Sequence, residues 1–333
     1  MATGTQGPAA REAYWDIVKG LLIILVVAGH AVQYCCNGNF WGHPVFKGIY
    51  LFHMPLFVLV SGYFAHGSIR RHGWLYPLRN VRHLLLPAAT AGLVFIATHN
   101  AWPEYFNNYT DWYPLLLGIW FLYAIFEYGL FLCILESLRS MLWRVLWIAA
   151  PMLLALLWEG LPFRNQFTFL YPFFLLGAWV AARRPNLAHP AIGLAALAVY
   201  AAVFCCFDDT WYVYRKPWVA LDAPAEIYNI YAIRTLGALA GCFLFLFAAK
   251  RLERWLNRRL LLRLGSATMA VYILQAYFWD FAKVERIMQV NTAAAMAIAA
   301  ALLALCYGLY RLMAKSRLLA LINFGKYART PKV

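Results

Sequence analysis

Lys19 and His30 stand eleven residues apart in the apolar run DIVKGLLIILVVAGHAVQY. On a helix, eleven residues turn through about 1100°, roughly 20° past three full turns, so the two share one face about 16 Å apart along the axis. Asp16, three residues before Lys19, is placed to pair with it. A second histidine, His53, follows in YLFHMPLFVLVSGYFA. Counted from the outer ends of their runs, His30 lies about 9 Å deep and His53 about 12 Å deep, so two imidazoles on consecutive antiparallel helices reach similar depths. Imidazole takes and gives a proton near neutral pH and is the commonest general base, so the chemistry on offer is proton transfer to or from a hydroxyl. Each residue also has a plainer reading: Lys19 as a snorkelling cation, His30 as a structural histidine bonded to a neighbouring helix. A metal site would need a third ligand, and no HxxxH or CxxC pattern supplies one.

Arg79 and Arg82 form an RxxR pair in YPLRNVRHLLLP. If helical, both guanidinium groups point the same way, and arginine forks grip phosphates in bidentate fashion. The plainer reading is the positive charge that cytoplasmic loops collect. Arg234 sits inside a later apolar run, where an ionisable group is a functional candidate by default; it is expected to face the interior or to pair with Glu127 or Asp280. Aromatic residues gather in two outer loops: Trp102, Tyr105, Tyr109, Trp112 and Tyr113, then Asp208, Asp209, Trp211, Tyr212, Tyr214 and Trp218. They suit sugar rings, and equally an interfacial aromatic belt.

The elements that must carry these residues follow from composition. The 333 residues are 64% hydrophobic, 17% aromatic and 13% charged. Soluble domains are about 45–50% apolar and about 25% charged, so a soluble enzyme, a disordered chain and a disulfide-stapled secreted domain are excluded. Apolar stretches at 17–36, 45–67, 84–100, 113–136, 143–159, 166–182, 190–207, 227–249, 265–283 and 292–313 are too long and too little alternating for barrel strands. They predict an all-α polytopic transmembrane bundle of about ten spans. It forms one domain over residues 1–333, with short tails at 1–13 and 314–333. With the N-terminus placed in the cytoplasm, 22 of the 29 Lys and Arg fall on the inner side and six on the outer, leaving Arg234 within a span. That bias predicts both termini in the cytoplasm, and it accounts for the net charge of +15 without a nucleic-acid partner. Residues 1–12 are polar and the first apolar run exceeds a signal h-region, so no cleavable signal is expected. The cysteine pairs Cys35-Cys36 and Cys205-Cys206 fall near outer ends of spans. They are read either as a bridge between the pairs or as small lipid-compatible side chains.

Taken together, these motifs resemble the family-3 acyltransferases, integral-membrane O-acyltransferases of bacteria, and most of all their fucose acetylase-like branch. The basic residue, ten intervening residues and histidine of the family's first span are matched by Lys19 and His30, with Lys where Arg is common. FHMPLFVLVSGY at 52–63 is similar to the second-span motif almost throughout. Arg79, Arg82 and LLLP at 84–87 resemble the RxxR-LL-P stretch, and Trp120-Phe121-Leu122 the tryptophan of the fourth span, although Glu127 is offset from the usual WxLxxE spacing. Gly265-Ser266 and Tyr272-Ile273-Leu274 resemble a late motif in which Gln275 here stands where histidine is frequent. The resemblance covers about residues 14–280.

It implies an enzyme that transfers an acyl group, most often acetyl, from acyl-CoA to a hydroxyl. The implied acceptor is a saccharide of a surface or exported polysaccharide, or its lipid-linked precursor. Acetyl-CoA is then a co-substrate met on the cytoplasmic side, no metal is called for, and the setting is the bacterial inner membrane and its lipids. His30 is the implied general base and His53 a second acid–base or orienting group. Lys19 and Asp16 set the donor route or the electrostatics of the first span, and Arg79 and Arg82 hold CoA phosphates. Trp120, Tyr63, Ser61, Arg234, Glu127 and Gln275 are candidate substrate contacts, and Ser61, Tyr63 and Ser266 are candidate oxyanion donors. The competing class is a membrane transporter of a sugar or lipid-linked saccharide, which ten spans and a polar interior would also suit; no paired halves of the kind transporters often show are apparent in the sequence.

Overall fold

A computed structural model describes residues 8–36, 38–102, 119–158, 164–187, 189–208, 225–285 and 289–326. Among them there is no strand. In chain order the helices are α1 (Pro8–Cys35), α2 (Pro44–Tyr50), α3 (His53–His72), α4 (Leu75–Asn80), a π-helical turn (Val81–Leu85), α5 (Leu86–Ala101), α6 (Trp120–Ser137) and α7 (Met141–Leu157). They continue with α8 (Arg164–Arg183), α9 (Pro190–Cys206), α10 (Ala225–Leu252), α11 (Arg258–Glu285), α12 (Thr292–Met313) and α13 (Arg317–Phe324). All ten apolar stretches marked by the sequence are helical within the described residues. Among the described residues, seven segments are long and apolar enough to cross a membrane: Ala13–Cys35, Pro44–His72, Leu75–Ala101, Trp120–Ser137, Ala225–Leu252, Arg258–Asp280 and Thr292–Met313. The chain is a multi-pass membrane protein. Helices α7 and α9 are apolar but have 17 residues each. At 1.5 Å per residue that length falls short of a hydrocarbon core about 30 Å thick.

Contacts divide the chain into two compact units. The first comprises Met1–His53, Asn186–Ala202 and Leu239–Arg311, and the second Met54–Pro185, Val203–Ala238 and Leu312–Val333.

In the first unit α1 packs along α11. Lipid tails are as apolar as leucine, so membrane helices associate through close packing and small residues rather than by escaping water. Gly20 meets the Leu261 backbone and Gly265 meets the Asp16 backbone so closely that a Cβ at either position would overlap a carbonyl. Around this crossing Ile17, Val18, Leu22 and Ile23 of α1 and Leu261, Leu264 and Val271 of α11 are all buried. Polar anchors hold the flanking elements: the Tyr14 hydroxyl donates to the Leu246 carbonyl at 2.8 Å and the Tyr200 hydroxyl to the Gly48 carbonyl at 2.6 Å.

The second span is broken between α2 and α3. The Phe52 N–H reaches back only three residues, to the Ile49 carbonyl at 3.3 Å, before the helix restarts at His53. The cause lies one turn on. Pro55 has no N–H to offer the Leu51 carbonyl, and its ring crowds that carbonyl out of line.

A second proline shapes the second unit. Pro87 deprives the His83 carbonyl of its usual partner, and the chain answers with the π turn at Val81–Leu85. There the Leu86 N–H bonds the Val81 carbonyl, five residues back. The core of this unit is aromatic, with Tyr128 of α6 packed on Phe167, Tyr171 and Phe174 of α8.

All seven cysteines are free thiols. Cys35 is buried whereas Cys205 and Cys206 are exposed. That agrees with the alternative role as small side chains. The segment that the sequence marks only as a tail after residue 313 contains a capped helix. Ser316 accepts from the Leu319 N–H at its start, and Gly325, with φ 61°, closes its end.

Candidate functional site

The first unit gathers Asp16, Lys19, His30, His53 and Gln275. His53 is 3% exposed and opens α3 directly after the break. Its Nδ1 lies 2.9 Å from the Ile49 carbonyl oxygen. A carbonyl oxygen only accepts, so Nδ1 carries the proton and donates it, which leaves the lone pair on Nε2. Pro55 thus sets the tautomer of His53 indirectly, through the backbone break it imposes.

His30 is half-buried and looks onto a cage of rings. Its ring centroid lies 6.0 Å from Tyr34, 6.4 Å from Tyr50 and 6.4 Å from Trp279. Tyr50 is shared by the two histidines, with its ring 4.5 Å from that of His53. Its hydroxyl donates to the Gln33 amide oxygen at 2.9 Å, which fixes the ring between α1 and α2. From α11, Trp279 donates its indole N–H to Gln275 Oε1 at 3.2 Å. Gln275 is 1% exposed, and its Nε2 has no hydrogen-bond partner among the described residues. The cluster therefore offers a basic nitrogen on His53, a second imidazole on His30 and a buried amide donor on Gln275.

At the opposite end of α1, Lys19 and Asp16 form the expected ion pair, Nζ to Oδ1 at 2.6 Å. Gly265 of the late motif packs against the Asp16 backbone, so that glycine sets the α1–α11 crossing beside the pair.

The second unit holds the arginine pair on α4 and the π turn. Arg79 is exposed, and its Nη1 donates toward His72 Nε2 at 2.9 Å, with Nδ1 of the same ring at 3.2 Å. Arg82 is half-buried, with Nη2 3.4 Å from His83 Nε2. Arg70 and Arg71 close α3 nearby in the chain, so positive charge concentrates at this turn.

A family model described as an acyltransferase domain matches residues 12–311. The chain belongs to the family-3 acyltransferases. That membership places it among acyltransferases rather than transporters. The nodulation protein NolL of Sinorhizobium fredii (strain NBRC 101917 / NGR234) is 31% identical over 289 residues, covering 81% of this chain and 78% of its own. NolL of Mesorhizobium japonicum (strain LMG 29417 / CECT 9101 / MAFF 303099) is 30% identical over 185 residues, covering 51% of this chain and 48% of its own. No solved structure matches the chain.

The other candidates of this family-3 acyltransferase lie in its second unit or at the surface. The Ser61 hydroxyl donates to its own helix at Phe57, and the Ser266 hydroxyl to Arg263, so both hydroxyl protons are already engaged. Tyr63 packs edge-on to Phe64, and Trp120 edge-on to Phe121 at the start of α6. Glu127 of α6 retains solvent exposure and is an electrostatic neighbour of buried Tyr171 of α8. Arg234 is 2% exposed, with its guanidinium 5.1 Å from the centre of Phe169 and 5.5 Å from that of Phe207. Of the outer-loop aromatic set, Trp102 and Asp208 are described; Tyr105, Tyr109, Trp112, Tyr113, Asp209, Trp211, Tyr212, Tyr214 and Trp218 lie outside the described residues. Among the described residues no three His, Cys, Asp or Glu side chains cluster for a metal ion.

The sequence reading missed Tyr50, Tyr34, Gln33 and Trp279. Two of these carried a local signal. Tyr50 precedes His53 by three residues and Trp279 follows Gln275 by four, the spacings at which helical side chains meet.

Proposed function

We propose that this acyltransferase moves an acyl group, acetyl foremost, from acyl-CoA to a saccharide hydroxyl. The acceptor is a surface or exported polysaccharide or its lipid-linked precursor, at the bacterial inner membrane. The observation that carries this reading is the pair of imidazoles, His30 and His53, set against one tyrosine ring inside a bundle of membrane helices.

His30, the more accessible of the two, takes the hydroxyl proton as the acceptor oxygen attacks the thioester carbonyl. The new C–O bond forms, and the carbonyl oxygen gains the negative charge. The C–S bond then breaks, and the departing CoA thiolate recovers the proton from His30. Ester and free CoA thiol are the products. His53 accepts a hydrogen bond at Nε2 and orients the sugar. Gln275 Nε2 donates to the developing oxyanion, the task in which a buried, preorganised donor is most effective. Arg79 and Arg82 hold the CoA phosphates at the cytoplasmic face, where the bias of Lys and Arg places both termini. Lys19 and Asp16, joined as an ion pair, set the local field at the start of the first span beside the donor route.

The test is thiol release from acetyl-CoA by purified protein in detergent, with and without exopolysaccharide oligosaccharides. His30→Ala should lower the rate by about 10²- to 10⁴-fold, as for loss of a general base. Arg79→Ala with Arg82→Ala should chiefly raise KM for the donor. Release that survives His30→Ala undiminished overturns the assignment.

A further inference from the structure

The family match ends at residue 311, yet the chain folds on past it and returns to the arginine pair. Helix α13 packs against α5 within the second unit. It closes in a left-handed turn: the Gly325 N–H bonds the Leu321 carbonyl at 2.8 Å, and the Lys326 N–H reaches the Ala320 carbonyl at 3.2 Å. Gly325 has φ 61° and lies against the Arg82 carbonyl and the His83 Cα so tightly that a Cβ would overlap both. The His83 side chain hydrogen-bonds the Gly325 backbone, and its charged neighbours are Arg82, Arg79 and Lys326. The turn does not merely pass by. It is buried at Gly325, fitted to the π turn, and fixes the backbone of an exposed lysine beside two arginines.

We infer that the carboxyl-terminal turn is a working part of the donor site: Lys326 is a third phosphate-binding cation, held by Gly325 against the π turn that carries Arg82. The ligand class is the phosphorylated nucleotide end of an acyl-CoA. Three cations in different parts of the chain match a ligand that carries separate phosphate groups better than one RxxR pair does. The inference rests on the acyl-CoA reading proposed above.

Full-length Lys326→Ala, Lys326→Arg and Gly325→Val are compared with wild type on two donors, acetyl-CoA and acetyl-pantetheine, which shares the thioester but has no phosphate. Lys326→Ala and Gly325→Val should raise KM for acetyl-CoA about tenfold, the worth of one charged contact, and leave KM and kcat for acetyl-pantetheine as in wild type. Lys326→Arg should restore the acetyl-CoA value. Equal losses with both donors would make the turn structural only, and no change with either would remove it from the site; both results overturn the inference while leaving the acyl-CoA reading intact. A wild type that uses neither donor brings down both.

Discussion

His53 Nδ1 donates to the Ile49 carbonyl at 2.9 Å, a bond available because the helix is broken one turn before Pro55. The imidazole is held in one tautomer by its own backbone. Asparagine in its place can donate from Nδ2 to the same carbonyl but has no counterpart of Nε2. His53→Asn should therefore fold with a thermal midpoint close to wild type and lose about tenfold to a hundredfold in kcat/KM for the acceptor, the worth of one to two well-placed hydrogen bonds. Steady-state kinetics alongside thermal unfolding in detergent separates these two effects; a matching fall in stability would mean that His53 serves packing alone.

Pro55→Ala restores a backbone N–H to the turn below the break. The α2–α3 segment should straighten, and the Ile49 carbonyl should return to an ordinary helical bond. Misplacing a reacting group by about 1 Å costs roughly a hundredfold in rate. The variant should lose activity on that scale with a thermal midpoint equal to or above wild type. Unchanged kcat would show that the break does not position His53.

Tyr50 makes two separable contributions. Its hydroxyl bond to Gln33 is worth about 1 kcal/mol of stability, and Tyr50→Phe should cost that much and keep transfer activity. Tyr50→Ala also removes the ring that both histidines touch. Truncating a fully buried aromatic costs about 3–5 kcal/mol; the half-buried Tyr50 ring should cost less, and its loss should abolish transfer as well. Denaturation midpoints paired with rates distinguish the hydroxyl from the ring.

Gly265→Leu forces a side chain into the Asp16 backbone at the α1–α11 crossing. Overpacking costs about 1–3 kcal/mol where neighbours can yield, and a carbonyl on a packed helix yields little. The expected outcome is loss of monodisperse protein on size-exclusion chromatography. Gly308→Leu, at a position with nothing within 4 Å of an added Cβ, should run as wild type.

What the sequence disclosed and what it concealed follow one physical line. Hydropathy marks the long apolar helices, because burial in lipid demands apolar length whichever way a helix faces. Local spacing found the Asp16–Lys19 pair and the two histidines, because those relations lie within one helix or between neighbours in the chain. The contacts of His30 with Trp279 depend on α1 meeting α11, nearly 250 residues later, and no local pattern announces that. A membrane helix that is apolar all round has no polar face to reveal which side meets protein. Ser266 was a candidate donor because a hydroxyl in a motif invites that reading; its bond to the Arg263 carbonyl is a backbone geometry that the sequence does not spell out. Helix α13 is signalled by Ser316 before an apolar run and Gly325 after it, but eight residues are too few to span a membrane, so hydropathy alone marks the segment as a tail.

The π turn between α4 and α5 has a consequence for comparing chains. A π turn is an α-helix with one residue too many, and each residue advances the helix by about 100°. A relative that lacks the turn should align with a single-residue gap between Val81 and Leu85 and still present every side chain of α5 on the same side. A gap placed elsewhere in Leu86–Ala101 would rotate the rest of the helix by more than a quarter turn. The position of that gap, rather than the identity of the residues around it, should divide chains that keep the Arg82 carbonyl turned toward a carboxyl-terminal glycine from those that do not.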